Sequence, residues 1–347
     1  MWVNNSLPTT SSHSNRQPLT GRKNLIGCEC DRVVTRGWNG FTMTVGIAAY
    51  GLEAGRAVLE GVLATEVLGR GSIGGFVVFS VLDEHGQHQQ VSLQCGGITA
   101  LDDFDLRPGV RCAAAISSGP NRPEPLSQFL AGRDGLGLVT GHRLPQRIGS
   151  SGLPLNSSAL ERMAQGHAPH EAVQSETKEN PEADFGLIAV AADGKIGFGN
   201  SARVQRRVDL LEVSRLEKEA GFAMLGNSIY FNNACRDHVA IGDLIWSRLT
   251  GSSSKNFIAK LGRPAPVSVS EEDWIEIDDD GGVLGIGRAD PWWPAAEGIT
   301  SVVYSGMPVW RNSSLAGTCL TEVFATLGNG LATPHASHQY HFAVRRS

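Results

Sequence analysis

Short apolar runs of strand length, separated by turns, recur along the chain. The clearest pattern lies within residues 183–203, where the apolar run 185–190 is followed by Asp193-Gly194 and a second run begins at Ile196. An Asp-Gly pair between two apolar runs is typical of a two-residue hairpin turn. This stretch therefore predicts a buried β-hairpin. Polar residues gather at its end: Asn200, Ser201, Arg203, Arg206 and Arg207.

A second hairpin is predicted earlier in the chain. Residues 76–82 are apolar on both faces, a turn is available at His85-Gly86, and residues 91–93 form the return. Because a strand that is apolar on both faces must be covered on both sides, a sheet with one wet face is excluded. Ahead of this hairpin, the sequence after Met43 predicts a first strand, and residues 52–69 have the spacing of an amphipathic helix that ends at a glycine.

The rest of the pattern predicts both helices and strands. We expect helices over residues 159–165, 169–180, 208–219 and 236–249, and strands over residues 110–116, 136–140, 267–269, 274–277, 283–286 and 301–304. Two hairpins that each follow a helix favour an α+β fold, an αββα sandwich in which two sheets pack face to face between layers of helices.

Composition shifts suggest where this fold begins and ends. Residues 1–42 are rich in Ser, Thr, Asn and Pro and predict a disordered tail, either a leader or the result of a start codon assigned upstream of Met43. Residues 43–249 form the predicted sandwich domain, residues 250–333 a small β-rich C-terminal region, and residues 334–347 a second disordered tail.

Composition and charge exclude several classes of function. An apolar fraction of 41% supports an ordinary core, and a net charge of −5 offers no basic surface for nucleic acid or for an anionic membrane. No apolar run approaches the roughly 18 residues that span a bilayer. The six cysteines lack metal-ligand spacing, so we expect reduced thiols in a soluble, cytoplasmic protein with no metal and no cofactor.

Two stretches resemble a known family. The sequences ADFGLIAV, DGKI and FGNS within residues 183–201 resemble the hairpin late in the plant-type asparaginases, which are N-terminal-nucleophile (Ntn) hydrolases. The sequences EAGRAVLE (53–60) and GSIGGF (71–76) are similar to the helix and glycine-rich hairpin early in asparaginases and γ-glutamyltransferases. The segment 43–233 also resembles bacterial proteins of unassigned function. The resemblance implies an Ntn-like fold and hydrolysis of an amide.

This family's chemistry needs a Thr, Ser or Cys at a newly exposed N-terminus, where the side chain attacks a carbonyl and the α-amine acts as base. The only Thr-Val-Gly in the sequence begins at Thr44, directly after Met43. Removal of an initiating Met43 would make Thr44 the catalytic N-terminus without autocleavage. The alternative is that Thr44 is simply a β-forming residue at the start of a strand. The helix that follows this strand departs from the family's order of elements.

Other candidates complete the predicted site, each with a structural alternative. Gly74 and Gly75 offer backbone N–H groups to an oxyanion, or serve close packing. Asn200, Asn227 and Arg203 bind the substrate's amide and carboxylate, or bond their own loops and solvent. His142 contacts the substrate as a base, or bonds the backbone. Cys95 and Cys112 are interpreted as buried apolar groups rather than nucleophiles.

The sequence thus predicts an Ntn-like amidohydrolase that acts on a small amide or amide-like molecule. The competing hypothesis is a catalytically inactive protein of the same fold that serves as a ligand-binding or assembly module. Both hypotheses leave a homo-oligomer open. We expect the polar end of the 183–203 hairpin to form a wall of the pocket, and any reaction to take place at Thr44.

Overall fold

The computed structural model describes residues 43–69, 74–101, 109–119, 121–231, 234–335 and 339–347. The predicted tail at residues 1–42, including the choice between Met1 and Met43 as the start, lies outside these residues. Up to residue 250 the α-helices and strands are β1 Thr44–Tyr50, α1 Ala54–Leu68, β2 Phe76–Leu82, β3 His88–Leu93, β4 Cys112–Ser118, β5 Ala131–Arg133, β6 Gly137–Arg143, α2 Leu155–Ala164, α3 Pro169–Glu179, β7 Phe185–Ala191, β8 Ile196–Asn200, α4 Ala202–Gln205, β9 Leu210–Leu216, β10 Gly221–Asn227 and α5 Ala234–Thr250, and 3₁₀ helices lie at Gly97–Leu101 and Leu126–Phe129.

Beyond residue 250 the described elements are strands and one short 3₁₀ turn at Trp293–Ala295. The strands are β11 Asn256–Lys260, β12 Ala265–Val269, β13 Trp274–Ile277, β14 Val283–Arg288, β15 Gly298–Val303, β16 Pro308–Arg311, β17 Ser314–Cys319, β18 Val323–Gly328, β19 Leu331–Pro334 and β20 His341–Arg346. The fold contains both helices and sheets, so the predicted α+β class is confirmed.

Two antiparallel sheets pack on each other in the first part of the chain. The larger has the strand order β3-β2-β4-β1-β10-β9, and the smaller has the order β5-β6-β7-β8. Their facing side chains form one apolar core, to which Ala48 and Leu225 contribute from the larger sheet and Leu138 and Ile188 from the smaller. Strand β1 lies inside its sheet, so both of its edges are hydrogen-bonded.

Helices cover the outer faces of both sheets. On the larger sheet, α1 and α5 pack over Val45 and Ile47, whose side chains alternate with those that face the smaller sheet. On the smaller sheet, α2 and α3 pack over Leu187 and Ala189. The sequence shows strands that are apolar on both faces, such as residues 76–82. The structure explains this pattern, because each sheet is covered on one side by helices and on the other by its partner sheet.

The strands after residue 250 form a third sheet with its own core. Its strand order is β11-β20-β17-β16-β13-β14-β12-β19-β18-β15, with Ile275, Ile286 and Val309 among its buried residues. Strand β20 has two buried faces. Phe342 and Val344 enter this core, whereas Ala343 packs into the core beneath α1 and α5.

Two predictions of secondary structure are wrong. Residues 208–219 were expected to form a linking helix, but β9 pairs along its whole length with β10, because backbone pairing with a buried strand outweighs a weak local pattern. Residues 334–347 were expected to be a disordered tail, but β20 pairs with β11 and β17 and buries His341 and the three apolar residues that follow it.

The described cysteines differ in oxidation state. Cys112 and Cys319 are free and buried, and burial raises the pKa of each thiol to about 12. Cys95 is disulfide-bonded, so the expectation of reduced thiols is wrong at that position. Within the described part of the chain, no helix is long and apolar enough to cross a membrane.

Candidate functional site

Thr44 lies at the start of β1, between Ser118 of β4 and Asn227 of β10. Side chains alternate along a strand, and Ala48 of β1 points into the core between the sheets, so Thr44 also faces the smaller sheet. Its side chain is almost wholly buried, with 2% of the residue exposed. Three polar side chains of the larger sheet therefore stand in one row at the end of the inter-sheet core.

The Thr44 hydroxyl faces a small hydrogen-bonded group. Thr44 Oγ1 lies 3.5 Å from Ser118 Oγ. Ser118 Oγ donates to the carbonyl oxygen of Met43 at 2.7 Å and accepts a hydrogen bond from Arg122 Nη2 at 2.6 Å. Ser118 thus links a guanidinium to the peptide group that precedes Thr44.

The smaller sheet supplies the opposite side of this end of the core. His142 of β6, Gly186 of β7 and Asn200 of β8 are neighbours in register. His142 Nδ1 lies 3.1 Å from Asn227 Oδ1, and His142 Nε2 lies 2.7 Å from Asn200 Oδ1. We call Thr44, Ser118, Asn227, His142 and Asn200 the inter-sheet row. It ties the two sheets together through side chains.

A glycine makes the contact between His142 and Asn200 possible. A Cβ built on Gly186 would overlap both His142 Nε2 and Asn200 Oδ1. His142 itself is fully buried, and the loss of hydration lowers the pKa of its imidazole despite the two hydrogen bonds. Burial therefore disfavours the charged imidazolium form of the ring.

The row continues into an ion pair behind Asn227. Asn227 Nδ2 donates to Ser228 Oγ at 3.1 Å, and Ser228 Oγ donates to Asp209 Oδ2 at 2.8 Å. Arg207 Nη2 donates to Asp209 Oδ2 at 2.6 Å and to Ser228 Oγ at 3.2 Å. Burial opposes the ionisation of Asp209, but these hydrogen bonds outweigh it and lower the pKa of its carboxyl.

An arginine–aspartate ion pair lies near His142, and further arginines lie near its carboxylate. Arg143 pairs with Asp184 through two hydrogen bonds of 3.0 and 2.5 Å. Burial opposes the ionisation of Asp184, but the hydrogen bonds from Arg143 and the positive charges of Arg143, Arg203 and Arg207 lower the pKa of its carboxyl. Arg203 is itself exposed, at the edge of this group.

Arg122 differs from these arginines. It is half-buried, and among the described residues no carboxylate lies within 4.0 Å of its guanidinium. Burial and the nearby charge of Arg143 lower its pKa. The positive charge beside Ser118 is therefore not neutralised by any acidic side chain in the described part of the chain.

The structure brings together most, but not all, of the residues predicted for the site. Asn227, His142 and Asn200 form one hydrogen-bonded group. The Thr44 hydroxyl bonds to Ser118 instead, and Asn227 also bonds to Ser228 in the loop that follows its strand. Cys112 is excluded as a nucleophile, since its thiol donates to Ala191 O and burial holds the proton on sulfur.

The two glycines predicted to hold an oxyanion do not behave alike. The N–H of Gly75 donates to Ser118 O at 2.9 Å, so it is already used within the sheet, and its assignment as an oxyanion donor is wrong. Gly74 has a positive φ of 84° and lies beside the carboxylate of Glu66, where an added Cβ would come within 3.5 Å of Glu66 Cδ. Its position allows the chain to turn close to that side chain.

Glu66 lies on the helix side of the larger sheet. Its Oε1 accepts hydrogen bonds from Ile98 N at 3.0 Å and Ser117 Oγ at 3.2 Å. Although the residue keeps some exposure overall, burial of its carboxyl raises the pKa to about 8. Ser117 and Ser118 are consecutive in β4 and point to opposite faces, so the sheet separates Glu66 from Thr44.

Sequence reasoning missed Ser118, Arg122, Ser228 and Gly186. The two serines that end the apolar run of β4 were a usable signal, because polar residues at a strand end often line a site. Arg122 and Ser228 lie in loops, where no periodicity marks them. A groove of about 590 Å³ in the third sheet is lined by Lys260, Gly262, Arg263, Asp278, Asp280, Gly282, Pro334 and Tyr340, and it contains no member of the inter-sheet row.

Comparison with known proteins gives two family matches. The family model described as "Domain of unknown function (DUF6963)" matches residues 44–257, and the one described as "Domain of unknown function (DUF7259)" matches residues 264–339. No curated protein matches the sequence. Within the described residues, no cluster of three or more His, Cys, Asp or Glu side chains is arranged to hold a metal ion.

Proposed function

We propose that this chain, which belongs to the DUF6963 family, is an amide hydrolase of the Ntn type with Thr44 as its nucleophile. The observation that carries the proposal is the position of Thr44: it begins an inner strand, its hydroxyl faces the space between two sheets, and polar side chains from both sheets meet there. The layers of helix, sheet, sheet and helix support an Ntn-like αββα sandwich, the fold expected from the resemblance.

The reaction requires Thr44 to be the first residue. Its α-amine, with an ordinary pKa of about 7.7–8.0, then accepts the hydroxyl proton as Oγ1 attacks the amide carbonyl carbon. The C–N bond breaks, the proton passes to the departing amine, and an ester to Thr44 remains. Water, activated by the same amine, cleaves the ester and releases the acid.

Contacts around Met43 support this processing. Ser118 Oγ donates to Met43 O, the carbonyl attached to the nitrogen of Thr44. When Met43 is removed, that acceptor leaves and the Ser118 hydroxyl faces the new α-amine. Met43 is fully buried in the core beneath the helices, so we expect removal before the sheet closes rather than from the folded protein.

The charges at the site favour an anionic substrate. Arg122 has no acidic partner among the described residues, whereas Arg143 is paired with Asp184 and Arg207 with Asp209. Since a half-buried guanidinium gains most from a charged hydrogen-bond acceptor, we propose a small amide that also carries a carboxylate. Asn227 and Asn200 would contact its polar groups.

The proposal is tested with two forms of the protein. One begins at Met43, so that methionine removal leaves Thr44, and the other is the full chain. Mass spectrometry establishes the first residue, and ammonia release is measured on a panel of small carboxylate-bearing amides. We expect activity only in the form that begins at Thr44, loss of activity in Thr44→Ala, and partial retention in Thr44→Ser. Equal activity of Thr44→Ala would overturn the proposal.

A second function is favoured by one observation. The described Thr44 has a peptide-bonded nitrogen, and the Gly75 N–H is engaged by Ser118 O, so neither the base nor that oxyanion donor is available in the full chain. This supports a non-catalytic, ligand-binding member of the same fold. It predicts that Thr44→Ala binds carboxylate-bearing amides as tightly as the unmodified chain. It also predicts no turnover by the full chain or by the form that begins at Thr44.

A further inference from the structure

The hydrogen bonds around His142 cannot all exist as they stand. Both ring nitrogens face an amide oxygen: Nδ1 faces that of Asn227 and Nε2 that of Asn200. A neutral imidazole has one N–H donor and one bare acceptor nitrogen. In a neutral ring, the lone pair of the bare nitrogen would then point at a lone pair of an amide oxygen, which is a repulsive contact. Either the ring carries a second proton, or one amide is turned by half a rotation, which exchanges its oxygen and nitrogen at the same positions.

The ion pair behind Asn227 decides the orientation of that amide. The carboxylate of Asp209 only accepts hydrogen bonds, so it takes the Ser228 hydroxyl proton. The Ser228 oxygen is left to accept, and Asn227 Nδ2 donates to it. The Asn227 oxygen therefore faces His142, and the ring's proton lies on Nδ1.

We propose that His142 is a positioning residue: its bare Nε2 accepts a hydrogen bond from Asn200 Nδ2, which turns the Asn200 carbonyl oxygen away from His142 as an acceptor for the ligand. The opening left by Gly186 permits the 2.7 Å approach of the two groups. Burial, which disfavours an imidazolium, agrees with this arrangement.

Asn200 has a free side for this role. It keeps 6% of its surface exposed, and in the part of the chain that the structure describes, its second amide atom makes no hydrogen bond. A carbonyl oxygen there selects a ligand that carries an N–H donor, such as a primary amide or an ammonium group. This ligand class rests on the proposed function, whereas the orientation of Asn200 does not.

The opposite charge state would give the opposite specificity. An imidazolium donates from both nitrogens, holds the oxygens of both asparagines, and leaves the Asn200 NH₂ group facing the ligand. Two charged groups near the ring act against each other: Arg143 disfavours the imidazolium and Asp184 favours it. Whether His142 Nε2 carries a proton therefore reports directly which end of Asn200 the ligand meets.

Nitrogen NMR of the full chain with ¹⁵N-labelled histidine tests the orientation without any turnover. The signals of His142 are assigned by their loss in His142→Gln. We expect a neutral ring at pH 7 with the proton on Nδ1 and a bare Nε2. A doubly protonated ring, or a proton on Nε2, would overturn the proposal.

A substitution at Asn200 sharpens the test. Aspartate in Asn200→Asp cannot donate to Nε2, so His142 must gain a proton, and we expect the spectrum to change from neutral ring to imidazolium. Asn200→Leu is the matched control and should keep a neutral ring with its proton on Nδ1. If Asn200→Asp leaves the ring neutral while its amide spectrum shows a folded protein, the inferred donor is wrong. If either variant fails to fold, the nitrogen spectrum of His142 in the unmodified chain alone decides whether Nε2 is bare.

The ligand class is tested with a matched pair of probes, succinamic acid and its N,N-dimethyl amide, titrated into the same labelled protein. Both carry a carboxylate, and only the first has amide N–H donors. We expect succinamic acid to shift the His142 Nε2 signal and to bind at least about tenfold more tightly. Equal binding of the two, or binding of neither, would overturn the ligand assignment. A failed hydrolysis assay with discrimination between the probes would instead reject only the proposed reaction.

Discussion

Gly46 of β1 lies directly against the carbonyl oxygen of Gly141 on β6, so closely that a Cβ at Gly46 would overlap it. The two sheets are therefore in direct backbone contact two residues along β1 from Thr44. Because backbone atoms on both sides fill this space, no side-chain rotation can make room for a methyl group. This close approach keeps Asn227 of the larger sheet within hydrogen-bonding distance of His142 of the smaller sheet.

We expect Gly46→Ala to lower the free energy of unfolding by about 1–3 kcal/mol, the usual cost of overpacking a core. Urea unfolding followed by circular dichroism measures it. Gly328→Ala is the control, since a Cβ there meets nothing within 4 Å and its φ is not positive. Similar midpoints for Gly46→Ala and the unmodified protein would show that the sheets can separate at no cost.

Gly186→Ala should break the pairing of His142 with Asn200. The added methyl group would overlap the two atoms that meet there, so one side chain must move. We expect a loss of about 1–3 kcal/mol in stability and an altered His142 nitrogen spectrum. Gly199→Ala, whose Cβ would lie 3.7 Å from Val173 Cγ1, should change neither. An unchanged spectrum in Gly186→Ala would contradict the close pairing.

His142 should make stability depend on pH in the acid range. Its pKa is lower in the folded protein than the ordinary value of 6.5, so the unfolded chain binds more protons. Stability is therefore fully present above pH 6.5 and falls as the pH drops below it. Unfolding free energies between pH 5 and 7.5 measure the slope, and His142→Gln should flatten it. A parallel slope in that variant would assign the effect to other groups.

Glu66 should act in the opposite direction. Its pKa is raised from 4.5 to about 8 on folding, so the folded state binds more protons between these values. The stabilisation is present below pH 4.5 and is lost as the pH rises towards 8. We expect Glu66→Gln to match the unmodified protein near pH 5 and to exceed it in stability near pH 9. Glu219→Gln, at a side chain that is 87% exposed, is the control and should leave the pH profile unchanged.

Arg122 should matter for the ligand and not for stability. Its charge has no acidic partner among the described residues, so Arg122→Gln should leave the midpoint of unfolding unchanged or raise it. The same variant should weaken binding of succinamic acid by about tenfold or more. Arg203→Gln, at the exposed edge, is the control and should have a smaller effect on affinity. A marked loss of stability in Arg122→Gln would reveal a structural role instead.

Much of the strand pattern could be predicted from the sequence. The hairpin of β7 and β8 and that of β2 and β3 follow from apolar runs around turn residues, which are local signals. β9 and β20 could not be predicted in this way, because β9 has one firmly buried side chain and β20 depends on partners distant in the chain. Their structure comes from backbone pairing with other strands.

The candidate site was only partly accessible to sequence reasoning. Thr44 begins an apolar strand, and His142, Asn200 and Asn227 lie at or next to the last residue of theirs. Because neighbouring strands in these sheets are antiparallel or meet at one end of the core, their grouping was a reasonable expectation. The role of Gly186 was not, since it depends on the register of three strands and not on its own neighbours in sequence. Gly75 shows the converse: its sequence context favoured an oxyanion role, but its N–H is used within the sheet.

Strand β20 contributes side chains to the cores of both matched regions. Its alternate side chains complete two different cores, and Ala343 fills a position beneath the helices that cover the larger sheet. A fragment limited to residues 44–257 would leave that apolar surface bare and prone to self-association. Because β20 follows every other described strand in the chain, these helices gain their last neighbour only late in synthesis. We therefore expect the regions matched by the two family models to depend on each other for stability, although their sequences match separate models.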